Sequence, residues 1–569
     1  MTYNIRDLGV ISDRRSGALI DRQGNICWFC PKRFDEASIF ASLLDKEKGG
    51  EWTFILDSNY QVERKYIGTS SILESTFFSG DDSFIVQDWM PLDNHFSGIC
   101  RLFSSSSRQR INLIRPAPGY GEEDLKFVAL DDHKVSINQE HHVLSSHVIY
   151  LEGDKIKITI PPGEQAWVVF ADQPLDRLSL KNLQDSLAST KKSWENIYPG
   201  ITYEGPYGKQ VVDSIRAIRQ LTYGETGGII AALTTSLPEV LGGERNYDYR
   251  YVWLRDASMI VSALTRAGTN GSEERNFLDF ICASRKNIKN YSTTPFVTIN
   301  KHPAPRERYL KFSGYKNSTP ARVGNNANLQ LQLDAGANVL LAAKLIYEHF
   351  NIRDHWETIE EIADFLVENW DKDDHGIWEE EIARQFTSSK VIMTVALEFI
   401  SKHSKDNKQK ERWINTAARI REFIKKECTT SFGAYAVYRG SDEVDIAAAL
   451  FPEWAFCDPK SEEMIRTIDE LEKKFCENDL FYRNLLLFDE RKEGAFLAGN
   501  FWMAQYWIMM KNYEKSKRYI EAALACQNDL GLFSEEADPN TGTLLGNFPQ
   551  SFVHASLIGA VIDFKNTFS

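Results

Sequence analysis

The hydrophobic pattern along the chain changes period once. Over residues 1 to about 180, apolar residues come in short runs broken by Gly, Asp, Asn and Pro. The run Glu51-Trp52-Thr53-Phe54-Ile55-Leu56 is followed by the turn signal Asp57-Ser58-Asn59. Further runs lie at 70–78, 83–89, 109–114, 142–151, 155–160 and 165–171. Short strands at roughly 8–14-residue spacing with turn residues between them predict an antiparallel β-sandwich. Their pairing order is not readable from the pattern.

From Gly208 onward the period is that of helices. Val211, Ile215 and Ile218 are spaced four and three apart, and Trp356, Ile359, Ile362, Ala363, Leu366, Val367 and Trp370 form one stripe. Trp413, Ala417, Ile420 and Ile424 form another, and Ile465, Ile468, Leu471 and Phe475 a third. Further helical runs are 257–267, 274–284, 330–348, 388–401, 443–451, 497–511, 514–526 and 551–564. About twelve helices with no 34- or 40-residue repeat favour a closed ring of hairpins over a solenoid. The expected organisation is a β-sandwich domain at 1–180, a helical linker at 181–205 ending near Pro199-Gly200, and a helical-barrel domain at 206–569.

Composition narrows the function. The chain has 569 residues, is 43% hydrophobic and carries a net charge of −14, which argues against a nucleic-acid partner or a polybasic membrane surface. No apolar stretch of about 18 residues predicts a membrane span. No basic, apolar leader occurs at the start, so the expected location is cytoplasmic. The eight cysteines are scattered, and the lone Cys27-Trp28-Phe29-Cys30 lacks the second pair a zinc site wants. His141-His142 is expected in a strand or at the surface.

The candidate chemistry lies between the helices. Gly242 to Asp256 holds Arg245, Arg250, Arg255, Asp248, Asp256, Tyr247, Tyr249, Tyr251 and Trp253. Aromatic faces beside Arg and Asp suit a sugar ring, although structural ion pairs in a solvated loop would use the same residue types. Two carboxylate clusters follow, His375-Gly376-Ile377-Trp378-Glu379-Glu380-Glu381 and Gly531-Leu532-Phe533-Ser534-Glu535-Glu536-Ala537-Asp538. Each could be helix-N-terminal acids complementing the macrodipole. Together they could be the acid and base of glycosidic-bond hydrolysis. No HExxH, P-loop, GxSxG or GxGxxG motif competes.

These residues resemble glycoside hydrolase family 15, in the bacterial and archaeal branch of glucoamylases, glucodextranases, isomaltose glucosidases and trehalases. The resemblance runs from Ile5-Arg6-Asp7-Leu8-Gly9 through Thr234-Thr235-Ser236-Leu237-Pro238-Glu239, Arg245 to Asp256 and Gln330-Leu331-Gln332-Leu333-Asp334 to Asn547-Phe548-Pro549-Gln550. It implies a β-sandwich followed by an (α/α)6 barrel, and single-displacement hydrolysis with inversion. By position it makes Glu379 the general acid and Glu535 the general base. Arg255 and Asp256 would hold the terminal glucose, Tyr249 would flank the catalytic water, and Trp253 and Trp378 would wall the pocket. Glu380 would bind a substrate hydroxyl. No metal or cofactor is expected, because carboxylates do the acid and base work.

The sequence departs from the family at Asp334-Ala335-Gly336-Ala337-Asn338 and in the loop 293–308, where the second sugar is expected. The first reading is therefore an exo-acting α-glucoside hydrolase releasing β-glucose from α-glucan or malto/isomalto-oligosaccharide ends. The alternative is a trehalase of the same mechanism. The partner is a small carbohydrate, with room for a homo-oligomer. The cluster at Glu535 disfavours a phosphorylase, the absence of a stored covalent intermediate under inversion disfavours a transglucosylase, and the presence of both carboxylates disfavours an inert sugar binder.

Overall fold

The computed structural model describes residues 3–56, 59–92, 97–197, 203–287, 294–483 and 493–567. The turn at Asp57-Ser58, the Pro199-Gly200 connector and Thr293 lie outside the described residues.

The N-terminal part is built of two antiparallel sheets. One has seven strands in the order Gly9–Ser12, Gly17–Ile20, Ile26–Phe29, Glu51–Leu56, Arg110–Arg115, Lys155–Ile160, Ile149–Glu152. The other has eight, from Phe127–Asp131 through Lys134–Ile137, His141–Ser145, Ala166–Ala171, Gly98–Phe103, Asp82–Trp89 and Leu73–Ser79 to Gln61–Tyr66. The alternation at Lys155–Ile160 puts Ile156, Ile158 and Ile160 inward, as a half-buried strand requires. Phe54 of the first sheet meets Phe77, Phe84 and Phe103 of the second at ring separations of 5.3–5.9 Å, which places the core between the layers. The apolar run 142–151 is two strands in different sheets, because Ser146–Val148 breaks it. His141 and His142 are both buried in their strand rather than at the surface.

The C-terminal part is a ring of outer–inner helix pairs. Gly208–Gln220, Ser272–Asn287, Trp356–Asn369, Asn407–Glu427, Glu462–Lys474 and Tyr513–Leu524 are the outer members. Each precedes an inner one: Leu254–Arg266, Leu333–Phe350, Thr387–Ile400, the 3₁₀ turn Ile446–Leu450, Leu497–Met509 and Ser551–Lys565. The last inner helix packs on the first, closing the ring. The inner helices Leu497–Met509 and Ser551–Lys565 are apolar all round, as their position demands. The expected helix at 443–451 is only the 3₁₀ turn Ile446–Leu450. Pro452 lacks the backbone N–H that would continue the turn's hydrogen bonding, although Phe451 before it keeps helical angles.

The two parts share one apolar core. Trp28 Nε1 donates to Leu233 O at 3.0 Å, and Gln220 Nε2 to Val10 O at 3.1 Å. The fully buried Arg64 side chain pairs with Asp529 at 2.6 Å, and Arg6 donates to Ala525 O at 2.7 Å. Strand Gly9–Ser12 therefore lies against the end of the barrel chain. A Cβ on Gly9 would come within 2.7 Å of Leu530 Cδ1.

Candidate active site

Each segment leading into an inner helix brings polar residues to the same end of the ring. There a cavity of about 240 Å³ is lined by all eight residues singled out in the sequence: Tyr249, Trp253, Arg255, Asp256, Trp378, Glu379, Glu380 and Glu535. Trp253 is the N-cap of Leu254–Arg266, so Arg255 and Asp256 occupy the first turn, with the acid complementing the positive helix end. Strand pairing of Val252–Trp253 with Phe296–Val297 fixes the Trp253 ring, stacked 4.2 Å from Phe296.

Glu379 sits in a tight turn with φ of 58°, a left-handed conformation that a non-glycine residue adopts at a cost of about 1–2 kcal/mol. Gly376 makes the turn feasible: its φ is 64°, and a Cβ there would lie 2.8 Å from the Phe386 ring. Gln330 Nε2 braces the turn by donating to Glu379 O at 3.0 Å. Trp253 Nε1 donates to Glu379 Oε1 at 2.5 Å, and Arg255 Nη2 lies 3.7 Å from the same oxygen. Burial raises the Glu379 carboxyl, and Arg255 and the Trp253 N–H work against that rise.

Glu535 precedes the strand Glu536–Ala537, which pairs with both Ala495–Phe496 and Leu544–Leu545. Leu497 N donates to Glu535 O at 3.2 Å, fixing the backbone. Tyr249 OH donates to Glu535 Oε1 at 3.0 Å, while the buried Oε2 has no hydrogen-bond partner among the described residues. Burial pushes Glu535 up to about 8, and the negative charge of Glu239 adds to the rise. Neither cluster is a helix-capping one: the first turns of Thr387–Ile400 and Ser551–Lys565 hold no acid.

Arg255 Nε holds Asp256 Oδ1 at 2.9 Å, and its Nη1 faces Gln332 Oε1 at 3.4 Å and Asp334 Oδ2 at 3.7 Å. Trp378, which also lines the cavity, donates from Nε1 to both oxygens of Asp445 at 3.0 and 2.8 Å. Burial takes Asp445 up to about 6.

Beside Glu535 lies a buried charge cluster that sequence reasoning did not assemble. Arg483 pairs with Glu239 at 2.7 Å, Glu493 at 3.0 Å and Glu536 at 3.6 Å. Arg245 pairs with Glu239 at 2.8 Å and also with Glu493. Despite burial, the two guanidinium groups hold Glu239 down to about 2. Burial leads the rise of Glu493 to about 7, and Glu536 is pushed well above the carboxylate range. Carboxylate oxygens of Glu239, Glu493 and Glu536 gather within 4.8 Å, a spacing a cation could use. Two guanidinium groups already occupy that field, so the donor set fits an ion-pair network better than a metal centre. Glu239, Arg245 and Glu536 stood in the motifs above, and Glu493 in Glu493-Gly494-Ala495-Phe496, which carries the same resemblance. Arg483 had no flanking pattern to mark it.

A two-carboxylate pocket with aromatic walls, at one end of a ring of helical hairpins, is the construction of a glycoside hydrolase. The comparisons with known proteins agree. Residues 205–518 and 503–562 match Glycosyl hydrolases family 15, and residues 2–156 match a trehalase-like N-terminal domain. The chain belongs to glycosyl hydrolase family 15. It is 29% identical to Trehalase 2 of Sulfolobus acidocaldarius, over 96% of this chain and 97% of that one. It is 28% identical to a trehalase of Thermoplasma volcanium, over 97% and 92%. A crystal structure of a bacterial glucoamylase complexed with acarbose shares the fold, with a TM-score of 0.72 and 13% identity, over 99% of this chain and 96% of that one. Among the described residues no helix is long and apolar enough to cross a membrane.

Proposed function

We propose that this hydrolase cleaves α,α-trehalose to two glucose molecules with inversion, using Glu379 as general acid and Glu535 as general base. The observation that carries the two roles is that both carboxyls line one cavity but are differently engaged. Glu379 Oε1 accepts from Trp253 and faces Arg255, Gln332 also hydrogen-bonds this carboxyl, and its proton would pass to the glycosidic oxygen. Glu535 Oε1 is taken by Tyr249, leaving Oε2 to hold and deprotonate a water. The water attacks the anomeric carbon on the face opposite the leaving oxygen, so β-glucose forms at that carbon. Arg255 and Asp256 hold the terminal glucose, Trp253 and Trp378 wall it, and Glu380 binds a hydroxyl.

Trehalose leads among α-glucosides because full-length relatives bear that activity in their names. The reading of oligosaccharide ends uses the same carboxylates and needs only a rim that admits longer chains. The units 1–180, 181–205 and 206–569 are taken as sandwich, linker and catalytic barrel. Eight free thiols fit a reducing cytoplasm and a small internal sugar.

The test is glucose release from trehalose, maltose, isomaltose, maltotriose and dextran, with the first anomer detected by NMR. Release from trehalose with equal early α- and β-glucose is the expected result, since one ring inverts and the other leaves with its anomeric configuration intact. Preference for maltotriose or dextran would replace trehalose with the glucan-end reading. Net retention would overturn the mechanism.

A further inference from the structure

The cavity lining joins Arg255 and Asp256, in a helix first turn, to Glu307, whose chain neighbours Arg306 and Arg308 are exposed. Glu307 is held on the barrel side by Arg322, whose Nη1 donates to Glu307 Oε1 at 3.1 Å and whose Nη2 donates to Glu244 O at 2.8 Å. The Arg322 guanidinium also lies 5.2 Å from the ring of Tyr247, another cavity residue.

The segment carrying Glu307 is tied down by the other domain. Tyr315 OH donates to Tyr3 O at 3.0 Å, Ser313 N to Asp45 Oδ2 at 2.9 Å, and Lys48 Nζ to Lys311 O at 2.9 Å. The neighbour of Glu307, Arg308, pairs with Glu122 at 3.0 Å and sits 5.7 Å from the ring of Tyr120. The residues that line the cavity all lie in the barrel part, yet five residues of the sandwich domain contact the segment that carries Glu307.

We propose that Glu307 is a specificity-determining residue that binds a hydroxyl of the leaving sugar, and that the N-terminal domain sets its position through the Glu122–Arg308 contact. This rests on the hydrolase reading above. Arg322 takes Oε1, and Oε2 accepts from the sugar. A charged acceptor in a largely buried site discriminates strongly between a leaving group that offers a hydroxyl there and one that does not.

The test compares kcat/KM for trehalose with kcat/KM for α-glucosyl fluoride, which has no leaving sugar. In Glu307→Gln the ratio of the two is expected to fall by about 10–100-fold. In Glu122→Arg, which sets two cations against each other at the rim, the ratio falls by about threefold, and adding Arg308→Glu restores it. A fall of both substrates together in Glu307→Gln would overturn the assignment, as would an unchanged ratio. An unchanged ratio in Glu122→Arg, or no restoration in the double variant, would overturn the role of the N-terminal domain. If the unaltered enzyme hydrolyses neither substrate, the hydrolase reading itself fails; if it hydrolyses both, the variants judge the inference alone.

Discussion

Tyr249 and Glu535 are joined by a 3.0 Å hydrogen bond, and the same tyrosine ring lies 5.5 Å from Trp253, which holds Glu379. One pair of aromatic side chains therefore orients both carboxyls. The link ties the Glu379 and Glu535 carboxyls to one aromatic pair.

The two roles separate with α-glucosyl fluoride. Fluoride leaves with little help from an acid, whereas attack still needs an activated water. Glu535→Gln should lose at least about 10³-fold in kcat on trehalose and on the fluoride alike. Glu379→Gln should lose a similar factor on trehalose but about tenfold or less on the fluoride. The reverse pattern in steady-state rates would exchange the two assignments.

The fluoride also isolates the base in a pH profile. Its kcat/KM should rise with pH through the Glu535 value, which burial and Glu239 place near about 8. Glu239→Gln removes a negative neighbour and leaves Arg245 and Arg483 with less to balance. The midpoint should then move to lower pH, by about one unit for about 1.4 kcal/mol of altered interaction. A midpoint unmoved by this variant would show that Glu239 does not act on the base.

Stability should carry the same signature with a defined sign. A carboxyl whose folded-state value is raised binds more protons folded than unfolded, so its contribution declines as pH rises. For Glu535 the window runs from its ordinary 4.5 to about 8. Thermal melts of the unaltered protein should show Tm falling across that window more steeply than melts of Glu535→Gln. Equal slopes would mean that Glu535 titrates normally in the folded chain.

Trp253→Phe keeps the wall but deletes the N–H that favours the ionised form of Glu379. The acid should become harder to ionise and less well oriented. The alkaline limb of the trehalose profile should move up in pH while kcat falls about tenfold. A fall in affinity alone, with the limb in place, would reduce Trp253 to a wall.

The site was legible because its residues cluster in sequence. Tyr249 to Asp256 and Trp378 to Glu380 each lie within a few residues, just ahead of an inner helix, where a polar-aromatic run interrupts the apolar stripe. Arg483 gave no such mark, because its partners are Glu239, Glu493 and Glu536, and only closure of the ring brings those segments together. In the sandwich, Glu51–Leu56 and Lys155–Ile160 were readable by alternation. The strands at Gly9–Ser12, Gly17–Ile20 and Ile26–Phe29 were not, since every position is buried and no polar face punctuates them.

That burial has a consequence for how the chain is made. Arg64 meets Asp529 across 465 residues, and the first strand packs against Leu530. At synthesis rates of about 5–20 residues per second, those partners leave the ribosome tens of seconds after the arginine does. Until then the nascent N-terminal half holds an unpaired cation and an uncovered apolar strand. The last hundred residues complete the oldest part of the molecule, and a ribosome stalled before them leaves a chain fit for chaperones and proteases.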